Sequence, residues 1–306
     1  MERIANGAIL PERFRGGVAA LGNFDGFHAG HQAVVGRALA LARQREVPAL
    51  VVSFDPHPAR LFRPELPPFA LTLVTQRLDL LAGFGVDAAV MIPFTRELAG
   101  LAADTFVEQW LVRRLGLSGV VTGGDFTFGE GRRGDTGQLA MLGERHGFTA
   151  EVVAPVIDSN GVISSTRVRA ALRNADPGAA AALLTRPFTL RGTVEHGAKL
   201  GRTLGYPTAN QRLGDYVRPA YGVYAVMVRL PGGKRVGGVA NLGIRPMIEP
   251  AVELLETWII DWDGDLYGKV IEVELVAYLR PEMKLDGLEA LKAQIALDVA
   301  AARAML

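Results

Sequence analysis

No cysteine occurs anywhere in the 306 residues. That excludes disulfides, thiolate nucleophiles and cysteine-ligated metals, and suits a reducing cytoplasm. Neither sign of charge is in clear excess: 33 Lys and Arg stand against 32 Asp and Glu, a formal net charge of +1. Such a chain has no broad footprint for nucleic acid or anionic lipid, so an anionic ligand must be held by a local site. Also missing is any run of about 18 uninterrupted apolar residues. The opening MERIANGAIL has no charged start leading into an apolar stretch. The expectation is a soluble cytoplasmic protein with no membrane or nucleic-acid partner. Hydrophobic residues at 49% and charged residues at 21% supply material for two cores, and the length exceeds what one core usually serves.

Two textures divide the chain. From about 18 to 157, the short apolar runs VAAL, ALVVSF, VDAAVMI, GVVTG and AEVVAPV alternate with helix-like segments such as QAVVGRALALARQ and LAADTFVEQWLVRRLG. Strands buried on both faces and separated by helices predict an α/β domain with a doubly wound parallel sheet. After residue 185 come FTLRGTVEH, YGVYAVMVRL, KRVGGVANLGI, VELLETWIID and KVIEVELVAYL, with PGGK as a hairpin turn. These predict an antiparallel barrel or sandwich, closed by a C-terminal helix over LDGLEALKAQIALDVAAARAML. The alanine-rich NADPGAAAALLTRPF, 174 to 188, is the expected border between them.

The string GNFDGFHAGH, 22 to 31, follows the first apolar run and opens a helical segment. In a doubly wound fold this is the crevice at the carboxyl end of a strand, where ligands bind. A helix N-terminus offers unpaired N–H groups and partial positive charge, which favours phosphate. Gly22 and Gly26 let the backbone come close, Asn23 can donate an amide proton, and His28 and His31 can flank a phosphorus centre. An isolated HxxH is equally compatible with a helix cap. Further on, Ser164, Ser165 and Thr166 offer hydroxyls and Arg167 a charged fork for polyphosphate.

The ten-residue string resembles the HxGH signature of nucleotidyltransferases, in the form carried by bacterial bifunctional riboflavin kinase/FAD synthetases. FDPHP at 54 to 58, GGDFTFGEGRRG at 123 to 134 and ISSTRVRAAL at 163 to 172 continue the resemblance in order. It implies an FMN adenylyltransferase domain over 1 to 185. There ATP would sit on Gly22, Asn23, His28, His31 and Ser164 to Arg167. FMN would lie across Pro56, Pro58, Phe62 and Phe128, with Asp125 as a polar contact. The implied reaction is in-line attack by the FMN phosphate on the α-phosphorus of ATP, releasing pyrophosphate and forming FAD; positioning and charge stabilisation would carry it.

In the second half, GTVEHGAKLGRTLGYPTAN, 192 to 210, spaces Gly192, Gly197, Gly201 and Gly205 around Lys199 and Arg202. Such a loop can wrap phosphates, although it lacks the GxxxxGK[ST] pattern. Thr208 and Asn210 offer hard oxygens suited to magnesium. The stretch resembles the flavokinase signature, followed in order by PAYGVYA, GVANLGIRP and DGDLYGK. The resemblance implies a riboflavin kinase domain over 186 to 306, with Glu256 of LLETWIID as the base for a ribityl hydroxyl and Arg280 contacting flavin or phosphate. The expected substrates are riboflavin, FMN and ATP, with Mg2+. Three positions depart from the usual pattern: Trp258 stands where histidine is usual, Met247 where threonine is, and Leu285 where an aromatic is. They leave open a second reading, an FAD synthetase whose C-terminal domain only binds flavin.

Overall fold

The computed structural model describes residues 1–4, 8–196, 205–245 and 252–306. It divides into two compact units, one of residues 1–67 with 74–164, the other of 68–73 with 165–306. Among the described residues no helix is long and apolar enough to cross a membrane.

The first unit holds a parallel sheet of β1 (Glu2–Ile4), β2 (Val18–Leu21), β3 (Ala49–Asp55), β4 (Ala88–Pro93), β5 (Gly119–Gly123) and β6 (Thr149–Val153). Their spatial order is β1-β4-β3-β2-β5-β6, and every adjacent pair is parallel. The five expected strands are all present. The last stops at Val153, two residues before Pro155, which has no N–H to give a ladder. Between strands lie α1 (Ala29–Gln44), α2 (Pro58–Phe62), α3 (Val74–Phe84), α4 (Arg96–Ala99), α5 (Ala103–Phe106) and α6 (Thr136–His146). Past α5 the chain continues as a π-helix, Val107–Arg114, instead of the uniform α-helix the periodicity predicts.

Because side chains alternate across a strand, each apolar run feeds two cores. Ala19, Leu21, Leu50, Val52 and Val120 join Phe106, Leu111 and Leu139 on one face. Val18, Ala20, Val51 and Val121 meet Val35, Ala38 and Leu81 of α1 and α3 on the other. This double burial is why the strands read as unbroken apolar runs. The chain moves from β2 outward to β3 and β4, then returns to the other side of β2 as β5. The strand order therefore reverses between β2 and β5, the position where such sheets bind ligands. A short hairpin follows, β7 (Ile157–Asp158) with β8 (Gly161–Val162).

The second unit begins with α7 (Ser165–Arg173) and α8 (Pro177–Leu184), capped by Asp176, whose carboxylate accepts from Ala179 N–H. Its sheet comprises β9 (Phe188–Thr193), β10 (Thr208–Arg212), β11 (Gly222–Arg229), β12 (Arg235–Arg245), β13 (Val252–Ile259) and β14 (Val270–Arg280). The order is β10-β13-β12-β11-β14-β9, antiparallel throughout. Bulges in the β11–β14 pairing bend the sheet. Just past β9, the N–H of Glu195 donates to the Asn210 carbonyl at 2.8 Å, so the two outer strands meet. The antiparallel barrel expected from the sequence is the observed form. The C-terminal helix α9 (Gly287–Met305) lays Val299 and Ala302 on Val223, Ala225 and Val239.

In this unit α7 and α8 group with the barrel strands. Segment 68–73 does so too: Ala70 N–H donates to Asp215 O at 2.9 Å, and Ala70 O accepts from Val217 N–H at 2.8 Å.

Candidate active sites

At the end of β2 the backbone turns sharply. Phe24, Gly26 and Phe27 all have positive φ, at 52°, 83° and 42°. Two phenylalanines held there are unusual, and the ring burial of both, at 2% and 3% exposure, holds them in place. A Cβ at Gly22 would lie 3.1 Å from the Phe24 ring, so residue 22 must be small for this turn to form.

The turn delivers His28 as the N-cap of α1, its Nδ1 accepting from His31 N–H at 3.3 Å. An accepting Nδ1 carries no proton, so neutral His28 bears its proton on Nε2. The two imidazoles stack at 3.6 Å with 20° between planes, and His31 also meets the Phe24 ring edge-on at 5.4 Å. His28 is thus both the helix cap and one member of a paired imidazole face. Gly30 packs closely here: a Cβ would stand 3.1 Å from His28 Cε1 and 3.3 Å from the Ile163 carbonyl.

The other residues expected around flavin come from the loops after β3 and β5, both beside β2. Pro58 opens α2, where His57 Nδ1 accepts from Ala59 N–H at 3.2 Å. Phe62 is 65% exposed and meets Phe94 edge-on, 5.9 Å between centroids. Pro56 and Asp125 are also exposed. Phe128 is different: at 7% exposure it stacks on Phe126 and tilts against Phe106, in the apolar core. Ser164 ends the first unit, while Ser165, Thr166 and Arg167 form the first turn of α7 in the second.

In the barrel, register makes the site. Glu256 of β13 stands opposite Asn210 of β10 on one side and Asn241 of β12 on the other, a row across three strands. Thr208, two residues before Asn210 and so on the same face, is opposite Trp258. The Oδ1 atoms of Asn210 and Asn241 are buried without a hydrogen-bond partner. A buried amide oxygen left unpaired is costly, and here it fits a hard cation or a hydroxyl donor. Asn241 Nδ2 donates to Glu282 at 3.2 Å. The row adds Asn241 to the residues singled out from sequence; its only sequence signal is its place in GVANLGIRP. Among the described residues no cluster of three or more His, Asp or Glu could hold a metal, so a cation here would rest on Thr and Asn oxygens with water and phosphate.

Gly197, Lys199, Gly201 and Arg202, with Met247, lie outside the described residues. The glycine loop departs from a defined anchor, where His196 stacks on Tyr267 at 3.9 Å, and re-enters at Gly205 with φ of 84°. The Trp258 ring meets Tyr206 edge-on, close to Thr208 in sequence and register. Arg280, expected at flavin or phosphate, is ion-paired to Asp298. Its Nε and Nη2 bind the two Asp298 oxygens at 2.8 and 2.7 Å, and Nη1 donates to Pro281 O. It ties the end of β14 to α9.

Comparison with known proteins finds two families in order along the chain. Residues 10–167 match the FAD synthetase family and 184–306 the riboflavin kinase family. The bifunctional riboflavin kinase/FMN adenylyltransferase of Pseudomonas fluorescens is 43% identical over 97% of this chain and 95% of its own. That of Escherichia coli K12 is 41% identical over 94% and 92%. A crystal structure described as a macrolide-efflux protein from Streptococcus pneumoniae superposes with a TM-score of 0.89 at 29% identity, covering 99% of each chain. With both family matches in order on a parallel α/β unit and an antiparallel barrel, the chain belongs to the bifunctional riboflavin kinase/FMN adenylyltransferase family.

Proposed function

We propose that the protein phosphorylates riboflavin to FMN in its barrel unit and adenylylates FMN to FAD in its parallel-sheet unit, using ATP in both. The observation that carries this reading is the presence of two separate polar constellations: the stacked His28–His31 pair at the strand-order reversal, and the Asn210–Glu256–Asn241 row on the barrel.

In the first, Gly22, Asn23 and the N-terminus of α1 bind the triphosphate, and His28 and His31 offset charge as the FMN phosphate attacks the α-phosphorus. With Nδ1 accepting in the cap, the proton of neutral His28 lies on Nε2, the nitrogen that donates to the developing charge. Ser164, Ser165, Thr166 and Arg167 contribute hydroxyls and a fixed charge to the polyphosphate. Pro56, Pro58 and exposed Phe62 receive the flavin ring, with Asp125 as polar neighbour. Phe128 serves this surface from the core, by packing.

In the second, Glu256 orients the ribityl hydroxyl and takes its proton as the γ-phosphoryl group transfers. Asn210 and Thr208 would hold Mg2+, which would neutralise phosphate charge. Gly197, Lys199, Gly201 and Arg202 supply backbone N–H groups and positive charge to the phosphates. The protein works in the cytoplasm, where its substrates are small molecules.

The halves separate in one assay with riboflavin, ATP and magnesium. His31→Ala stops FAD formation while FMN accumulates; Glu256→Gln stops FMN formation while supplied FMN is still converted to FAD. Loss of both activities in a folded single variant would refute two separate sites.

A further inference from the structure

Beneath the turn that carries Asn23 and His28 lies a charge that neither transfer step uses. Arg77 of α3 is 4% exposed, inside the apolar face that also presents Leu78 and Leu81. Its Nη1 donates to the Asn23 carbonyl at 2.7 Å and lies 3.2 Å from Ser53 Oγ. Ser53, fully buried on β3, donates to the same carbonyl at 3.1 Å. One backbone oxygen of the phosphate turn is thereby held from two elements of the sheet unit. Burial pushes the guanidinium below its ordinary pKa, and the carboxylates of Asp25 and Asp55 push back. Asp25 belongs to the turn and Asp55 precedes Pro56, so the cation lies electrostatically between the two loops assigned to ATP and to flavin.

An arginine this deep is costly to bury, and an apolar residue of similar length would pack α3 at less cost. Such a charge is accounted for if it fixes something the fold alone would leave loose. The turn is a place of that kind, with three residues at positive φ directly before the helix cap.

We propose that Arg77 is a positioning residue for adenylyl transfer: with Ser53 it clamps the Asn23 carbonyl, setting the turn that aims His28 and Asn23 at the nucleotide. It touches no substrate and acts through the turn. The proposal rests on the assignment of His28, His31 and Asn23 to ATP.

The test compares Arg77→Met, Arg77→Lys and Ser53→Ala in the full chain, at a temperature below every variant's unfolding transition. Riboflavin phosphorylation by the same molecules serves as internal reference. A misplaced turn costs about tenfold to a hundredfold in kcat for FMN adenylylation. Arg77→Met shows that loss with the FMN KM and kinase rate within about threefold, and Arg77→Lys recovers part of it. Ser53→Ala shows a smaller loss that does not add to that of Arg77→Met, because both act on one carbonyl. Wild-type adenylylation kcat in Arg77→Met, or equal loss of both activities, overturns the proposal. If Arg77→Met does not fold, wild-type adenylylation in both Arg77→Lys and Ser53→Ala overturns it. His31→Ala run alongside separates the two readings: if it forms FAD normally, the nucleotide assignment itself fails; if it is inactive while the Arg77 and Ser53 variants are normal, only the clamp fails.

Discussion

Single atoms govern the imidazole pair. Adding a methyl group at Gly30 puts a carbon 3.1 Å from His28 Cε1 and 3.3 Å from the Ile163 carbonyl, closer than ordinary contact. The ring is pushed from its place, and with it the proton on Nε2. Gly30→Ala is therefore expected to lower kcat for FAD formation by about tenfold or more and to leave riboflavin phosphorylation unchanged, which steady-state rates on the two substrates measure. Gly36, two turns further along α1, is the control, because its nearest neighbour to a new Cβ is Phe84 at 3.9 Å. Gly36→Ala is expected to stabilise by up to about 1 kcal/mol in denaturant unfolding, since alanine suits a helix interior better. The histidines and Gly22 were legible in the sequence because they sit within ten consecutive residues at the start of a helix. Arg77 was not, since its partner Asn23 is 54 positions away. Its available signal was a charge at a helix position spaced with Leu81 on the buried face.

The behaviour of whole elements depends on which neighbours they acquire. Strand β10, TANQR, is short and polar and reads from sequence only as a set of oxygen ligands. It becomes a strand because β13 pairs with it, burying Ala209 and Gln211 on the side away from Thr208 and Asn210. Helix α9 was legible from its alanine- and leucine-rich period, but its attachment was not. Asp298, 5% exposed, grips Arg280 and also accepts from Gln294. Asp298→Ala strands a partly buried guanidinium and is expected to cost about 2 kcal/mol, below the ~3–5 kcal/mol of a fully buried pair because the Arg280 side chain is one-fifth exposed. Chemical denaturation checks the cost. The riboflavin KM checks whether the pair is a strut or a substrate contact, and as a strut it leaves KM unchanged at temperatures where α9 stays docked.

At the scale of the whole molecule, the compact units do not end where the composition changes. Ala180, Leu183 and Leu184 of α8 are at most 5% exposed and belong to the unit that contains the barrel. A fragment beginning at residue 165 is accordingly expected to melt several degrees above one beginning at 186, by about 3–5 °C for each 1 kcal/mol retained. Equal melting temperatures in calorimetry would show that α7 and α8 add nothing to the barrel.

By itself the sequence determined the parallel and antiparallel textures, the glycine- and histidine-bearing turn after β2 and the family, because each depends on residues close together in the chain. Periodicity, glycine placement and the HAGH spacing are local, and local patterns survive without knowledge of partners. Only the tertiary structure decided that Asn241 joins Asn210 and Glu256, that Arg280 pairs with Asp298, that Phe128 is core while Phe62 is surface, and that a buried arginine holds the Asn23 carbonyl. Those outcomes depend on strand register and on which side chain reaches a shared oxygen first, and both are fixed only when distant segments pack.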